Sequence, residues 1–136
     1  MAPAIDRIDH VHVFVADRGR AERWYQEVLG FSRIESLAFW AVDGGPLTLA
    51  DATGMVHLAL FERAIQPCRS TIALAAGAQA FLAWRTHLSK VMGRAPDLQD
   101  HQVSWSIYFS DPDGNPYEIT SHDYAALEPS LRREGR

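Results

Sequence analysis

Residues 8–15, IDHVHVFV, alternate with a period of two: Val11, Val13 and Val15 share one face, and His10, His12 and Phe14 the other. This predicts a β-strand with one apolar face and one chemically richer face. Asp17 suits a helix N-cap. The stretch after it, RGRAERWYQEVLG, places Ala21, Trp24, Tyr25, Val28 and Leu29 at helical spacing, and Gly30 is well placed to end that helix. SRIESLAFWAV (32–42) reads as a strand, DGGP as a turn, and TLADATG as a second strand and turn. In MVHLALFE (55–62), Val56, Leu58 and Leu60 oppose His57, Ala59 and Phe61, again a strand.

The second half starts over. STIALA (70–75) is a short strand, and residues 77–92 form a helix with Phe81, Trp84, Leu88 and Val91 in a stripe. Residues 97–102 form a weaker strand, VSWSIYF (103–109) a stronger one, and YEITS the last. The order β-α-β-β-β occurs twice. His10 and Thr71 are the third residues of the segments 8–15 and 69–76, 61 residues apart, and His57 and Glu118 are separated by the same 61 in the two closing strands. Val11 then matches Ile72, Val13 Leu74, Val56 Tyr117 and Leu58 Ile119. The predicted fold is α+β: two βαβββ modules paired about a pseudo-twofold axis into a curled mixed sheet that encloses a cup, helices outside. Module one spans about 5–63, a linker 64–69, module two 70–124 and a polar, mobile tail 125–136, all in one domain.

Composition narrows the setting. A chain of 136 residues, 47% hydrophobic and 22% charged, is an ordinary globular domain. Its net charge of -4 and pI near 5.8 argue against nucleic acid as a partner. No apolar run approaches the roughly 20 residues of a membrane span. The single cysteine, Cys68, and an N-terminus without an apolar signal core point to a reducing cytoplasm.

With the apolar strand faces under the helices, His10, His12, His57, Thr71, Glu118 and Thr120 face inward. Two imidazoles and a carboxylate brought together make a facial set for a divalent ion, with positions left open for substrate. Such nitrogen and oxygen donors suit Fe(II), Mn, Ni or Zn, and a cation would neutralise a buried Glu118. Any one of these histidines alone is more ordinarily a packed or solvated residue; the shared spacing and face carry the joint reading. Trp40, Phe61, Trp105 and Tyr108, with Phe39, are candidates for an aromatic pocket wall, and His12 for a place behind the metal. The DPDG turn is structural: Asp111 bonds the turn backbone, and Gly114 accepts a positive φ.

IDHVHVFVADRGRAERWYQEVLGF resembles the opening of vicinal oxygen chelate proteins, and SIYFSDPDGNPYEIT their closing signature. That superfamily includes glyoxalase I, extradiol dioxygenases, fosfomycin-inactivating transferases and bleomycin-binding proteins. The resemblance implies paired βαβββ modules, commonly in a homodimer, and a small-molecule substrate or ligand. His10 matches the first family metal ligand and Glu118 the last. Thr71, in TIAL, stands where the family usually has a histidine; His57 falls where glyoxalase I-like members place a glutamate ligand. DHQVSWSIYF (100–109) is similar to a segment of the catechol dioxygenases whose histidine lies beside the substrate, which makes His101 the candidate acid–base residue, with Gln102 replacing the usual glycine. Two functions are implied: a metal-dependent dioxygenase or lyase, or a metal-free binding protein of the bleomycin-resistance type.

Overall fold

The computed structural model describes residues 1–64, 66, 68 and 70–132. The chain divides into two compact units, Met1–Gln66 and Pro67–Arg136. The linker expected at 64–69 falls partly on residues 65, 67 and 69, and the tail partly on 133–136; these lie outside the described residues.

The first unit runs β1 (Val11–Val15), α1 (Arg18–Trp24, continued by a π turn at Tyr25–Leu29), β2 (Ser32–Arg33), a 3-10 turn (Glu35–Trp40), β3 (Leu47–Ala50) and β4 (His57–Glu62). The strands form an open sheet of order β1-β4-β3-β2, with β1 parallel to β4. Asp17 caps α1 by accepting the Arg20 amide at 3.0 Å, and Gly30 ends the π turn at φ 71°. Val13, Val15, Leu58 and Leu60 are buried together with Ala21, Tyr25 and Val28 of the helical segment. The histidine-bearing face of β1 is the opposite one.

The second unit repeats the order with β5 (Ile72–Ala75), α2 (Ala78–Met92), β6 (Asp97–Asp100), β7 (Trp105–Ser110) and β8 (Pro116–Ser121), in an open sheet β5-β8-β7-β6. The two four-stranded mixed sheets and their helices are the expected α+β pair of βαβββ modules. Phe81 and Leu88 of α2 are fully buried, as are Ile107, Tyr117 and Ile119 of the sheet. Among the described residues, no helix is long and apolar enough to cross a membrane.

Three local expectations need correction. The strand expected over 32–42 stops at Arg33. β3 is only four residues long, so beyond Ile34 the backbone finds no ladder partner and closes on itself through Leu37 N–H to Ile34 C=O and Ala41 N–H to Ala38 C=O, both 3.0 Å. Gly45 permits the return of this loop, since a Cβ there would collide with the Trp40 carbonyl. The strand expected from Met55 begins at His57, because the Asp51 carboxylate captures the Met55 and Val56 amides at 3.2 and 3.1 Å. The tail expected from residue 125 is helical where it begins: Tyr124–Leu131 form α3, whose Leu127 and Leu131, four residues apart, are completely buried.

The repeat is also less regular than a single spacing implies. Val11 lies beside Leu58, whereas its counterpart Ile72 lies beside Tyr117, not Ile119. Measured from the opening strands, the partner of Glu118 in the first unit is Ala59, and His57 sits one pleat earlier.

Candidate functional site

In the first unit the opening histidines form a connected group. His10 Nδ1 donates to Asp9 Oδ2 at 2.8 Å, and His10 Nε2 lies 3.0 Å from His12 Nε2. His10 lies just before β1 and His12 within it, and the two rings stack with their centres 5.0 Å apart. The hydrogen bond to His10 holds the Asp9 carboxyl below its ordinary range, aided by the charges of His10, Arg7 and His57. His57 is half-buried, and its Nε2 donates to the Gly54 carbonyl at 2.8 Å, so the turn that starts β4 occupies it.

The same face continues as an aromatic track. The His12 ring lies 4.7 Å from that of Phe61, and Phe61 meets Phe14 edge-on at 6.3 Å. Trp40 is not part of it. It sits on the 3-10 turn, 45% exposed, with its ring 5.5 Å from that of Phe39.

In the second unit Glu118, half-buried on β8, accepts the Ser106 hydroxyl at 2.7 Å, and Ser106 Oγ is 3.0 Å from Thr120 Oγ1. Tyr108 stands beside Glu118 in the β7–β8 register, and its hydroxyl lies 2.9 Å from His101 Nε2. Burial, then the Glu118 charge, pushes the Tyr108 phenol up, so it stays protonated at neutral pH. His101, Tyr108, Ser106 and Glu118 thus form one polar chain. Gln102 keeps the left-handed backbone its position calls for, φ 72°, with its amide bonded to Asp100 Oδ1 at 2.9 Å. Thr71 is exposed just before β5.

Trp105 is a correction. It is 1% exposed on the face shared with Ile107 and Phe109, stacked on Tyr124 at 5.5 Å, and so belongs to the core and not to a pocket wall with Tyr108. Alternation along β7 could have shown this, since residues 105 and 108 have opposite parity. The same parity would have found Ser106 beside Tyr108. Asp9, adjacent to His10, was also missed. The closing turn is as expected: buried Asp111 accepts the Asp113 and Asn115 amides at 2.9 and 2.8 Å, and Gly114 has φ 83°.

A metal ion implied by the family resemblance can be tested against these donors. Within either unit, no three His, Cys, Asp or Glu side chains among the described residues gather as a ligand group. The His10–His12 pair does fit an ion. Two nitrogens bonded to one metal at about 2.0–2.1 Å, at roughly a right angle, lie about 3 Å apart. Asp9 behind His10 is the usual carboxylate support of a ligating imidazole.

Comparison with known proteins agrees with this architecture. Residues 7–119 match the model of the Glyoxalase/Bleomycin resistance protein/Dioxygenase superfamily, and the chain belongs to that family. No curated protein matches it. Among solved structures, a virulence protein from Salmonella typhimurium is 25% identical, with TM-score 0.62, over 88% of this chain and 99% of that one. The fosfomycin resistance protein FosX from Listeria monocytogenes, in complex with Mn(II) and sulfate, is 17% identical, with TM-score 0.65, over 96% and 98%. Lactoylglutathione lyase from Agrobacterium tumefaciens is 19% identical, with TM-score 0.66, over 89% and 97%. The last two likenesses are of fold.

Proposed function

We propose that this protein is a small-molecule metalloenzyme of the glyoxalase and extradiol-dioxygenase type. The observation that carries the reading is the pair of imidazole nitrogens 3.0 Å apart with Asp9 behind one of them. In the first unit His10 and His12 would hold the ion, His12 taking the part that the sequence suggested for His57. In the second unit Glu118 is the candidate carboxylate ligand that the sequence suggested. When bound, Fe(II), Mn, Ni or Zn would polarise neighbouring oxygens of the substrate or, as Fe(II), support dioxygen chemistry. The chain's own contribution is proton handling. Ser106 fixes one Glu118 oxygen, and the protonated Tyr108 hydroxyl, coupled to His101 Nε2, can pass a proton to or from a bound molecule. A lactoylglutathione lyase and a fosfomycin resistance protein are among its structural neighbours, which supports catalysis on this fold.

A metal-free binding role of the bleomycin-resistance type is the second reading. It is favoured by Thr71 at the usual histidine position and by the absence, among the described residues of either unit, of a three-ligand group. Anaerobic calorimetric titration of untagged protein with Mn(II), Fe(II), Ni(II) and Zn(II) separates the two. The enzyme reading expects one site per chain, weakened about 10-fold or more by His10→Ala. Weak binding indifferent to that substitution refutes it.

A further inference from the structure

The aromatic track beyond His12 ends in a guanidinium. Arg63, next after β4, lies over the Phe61 ring at 5.1 Å and the Phe14 ring at 5.9 Å. Its Nη1 donates to the carbonyls of Gly44 at 3.2 Å and Glu62 at 2.9 Å, which accounts for both protons on that nitrogen. Among the described residues, no acceptor meets Nε or Nη2. The neighbouring carboxylate does not neutralise it, because Glu62 points to the other side of the strand and is engaged with the Arg18 amide at 3.1 Å. The result is a cation held by two carbonyls and two rings, with one edge of its planar fork unused.

We propose that the face formed by His12, Phe14, Phe61 and Arg63 binds a planar aromatic carboxylate. The Nε–Nη2 edge takes both carboxylate oxygens, and the ligand ring lies along Phe61 toward His12. A carboxylate matches the fork with two parallel charge-assisted hydrogen bonds. A planar ligand can engage fork and phenyl together, and the half-exposed Phe14 supplies apolar surface beside it. His12 and Phe14 are two residues apart on β1, roughly 7 Å, about the reach of a two-ring aromatic system. The inference names the ligand class for the reading above and rests on it only for the role of this strand face.

The probes are 2-naphthoate and its neutral isostere 2-naphthamide, titrated into metal-free protein by calorimetry and by amide shifts of labelled protein. Naphthoate should bind about 10-fold tighter than the amide, with shifts at Phe14, Phe61 and Arg63. Arg63→Met should erase that preference while the amide still binds, which doubles as the folding control. Arg63→Lys should retain only part of the preference, and Phe61→Leu should weaken both ligands. Equal affinity for acid and amide, shifts confined to other elements, or a preference undiminished in both Arg63 variants would overturn the proposal. So would shifts at this face that follow dilution and not ligand, which place a second copy there. The titration uses neither metal nor turnover, so its failure and a failure to bind metal are separate results.

Discussion

Replacing His12 by alanine tests the arrangement at the first strand. In the structure His12 Nε2 lies 3.0 Å from His10 Nε2. With metal–nitrogen bonds of about 2.0–2.1 Å, that spacing subtends roughly 90–100° at one ion, an ordinary angle between adjacent ligands. His57 Nε2 is instead bonded to the Gly54 carbonyl at 2.8 Å, and recruiting it would break that contact. His12→Ala should therefore weaken Mn(II) or Zn(II) binding about 10–100-fold, or ~1.4–2.7 kcal/mol, whereas His57→Ala should change it less than about 3-fold. Asp9→Asn should fall between the two, because it removes the charge that orients His10 without removing a donor. Binding should also weaken as pH falls, since protons compete for the same nitrogens. The assay is calorimetric titration of apo protein, independent of turnover. A larger loss from His57→Ala than from His12→Ala would refute the assignment.

Two further outcomes concern stability. Gln102 holds a left-handed backbone at φ 72°, which a residue with a Cβ adopts at a cost, so Gln102→Gly should stabilise the fold by about 0.5–1 kcal/mol in urea unfolding; a destabilised variant would show that the side chain contributes more than the strain. The Arg33 guanidinium, bonded to Glu22 at 2.6 and 2.9 Å, holds that carboxyl below its ordinary value of 4.5. Its stabilisation is present above that value and is lost as pH falls through the lower folded-state value. Glu22→Gln should therefore cost about 0.5–1 kcal/mol at neutral pH, modest because the pair is partly solvated, with the difference vanishing in acid; a difference independent of pH would contradict the ion-pair account.

Most of the fold was legible because it is written in local periodicity. The valines of β1, Phe81 and Leu88 of α2 and the Asp17 and Gly30 helix ends each follow from rules that act within a few residues, although Val91, expected in the same stripe of α2, is 40% exposed in its last turn. The Asp111 turn was readable for the same reason. The short β2 was not, since whether Ile34–Val42 stays extended depends on the length of β3, a distant partner. Nor was α3, a short helix with an internal Pro129 whose Leu127 and Leu131 gain their meaning only once the rest of the second unit gives them a surface to bury. The 61-residue spacing is a true feature of the sequence, yet a strand's neighbour is set by register across the sheet, which placed Tyr117 and not Ile119 beside Ile72.

The candidate site divides along the same line. Alternation by itself determined that His10 and His12 share a face, and that Glu118 and Thr120 do, because a pleated strand leaves no other choice. Only the tertiary structure decided which hydrogen bonds those side chains make. A turn carbonyl engages His57, Ser106 reaches Glu118 across a ladder, and Arg63 is folded back over two rings from strands far apart in sequence. Such contacts are selected by packing and desolvation among residues that no short window of sequence contains.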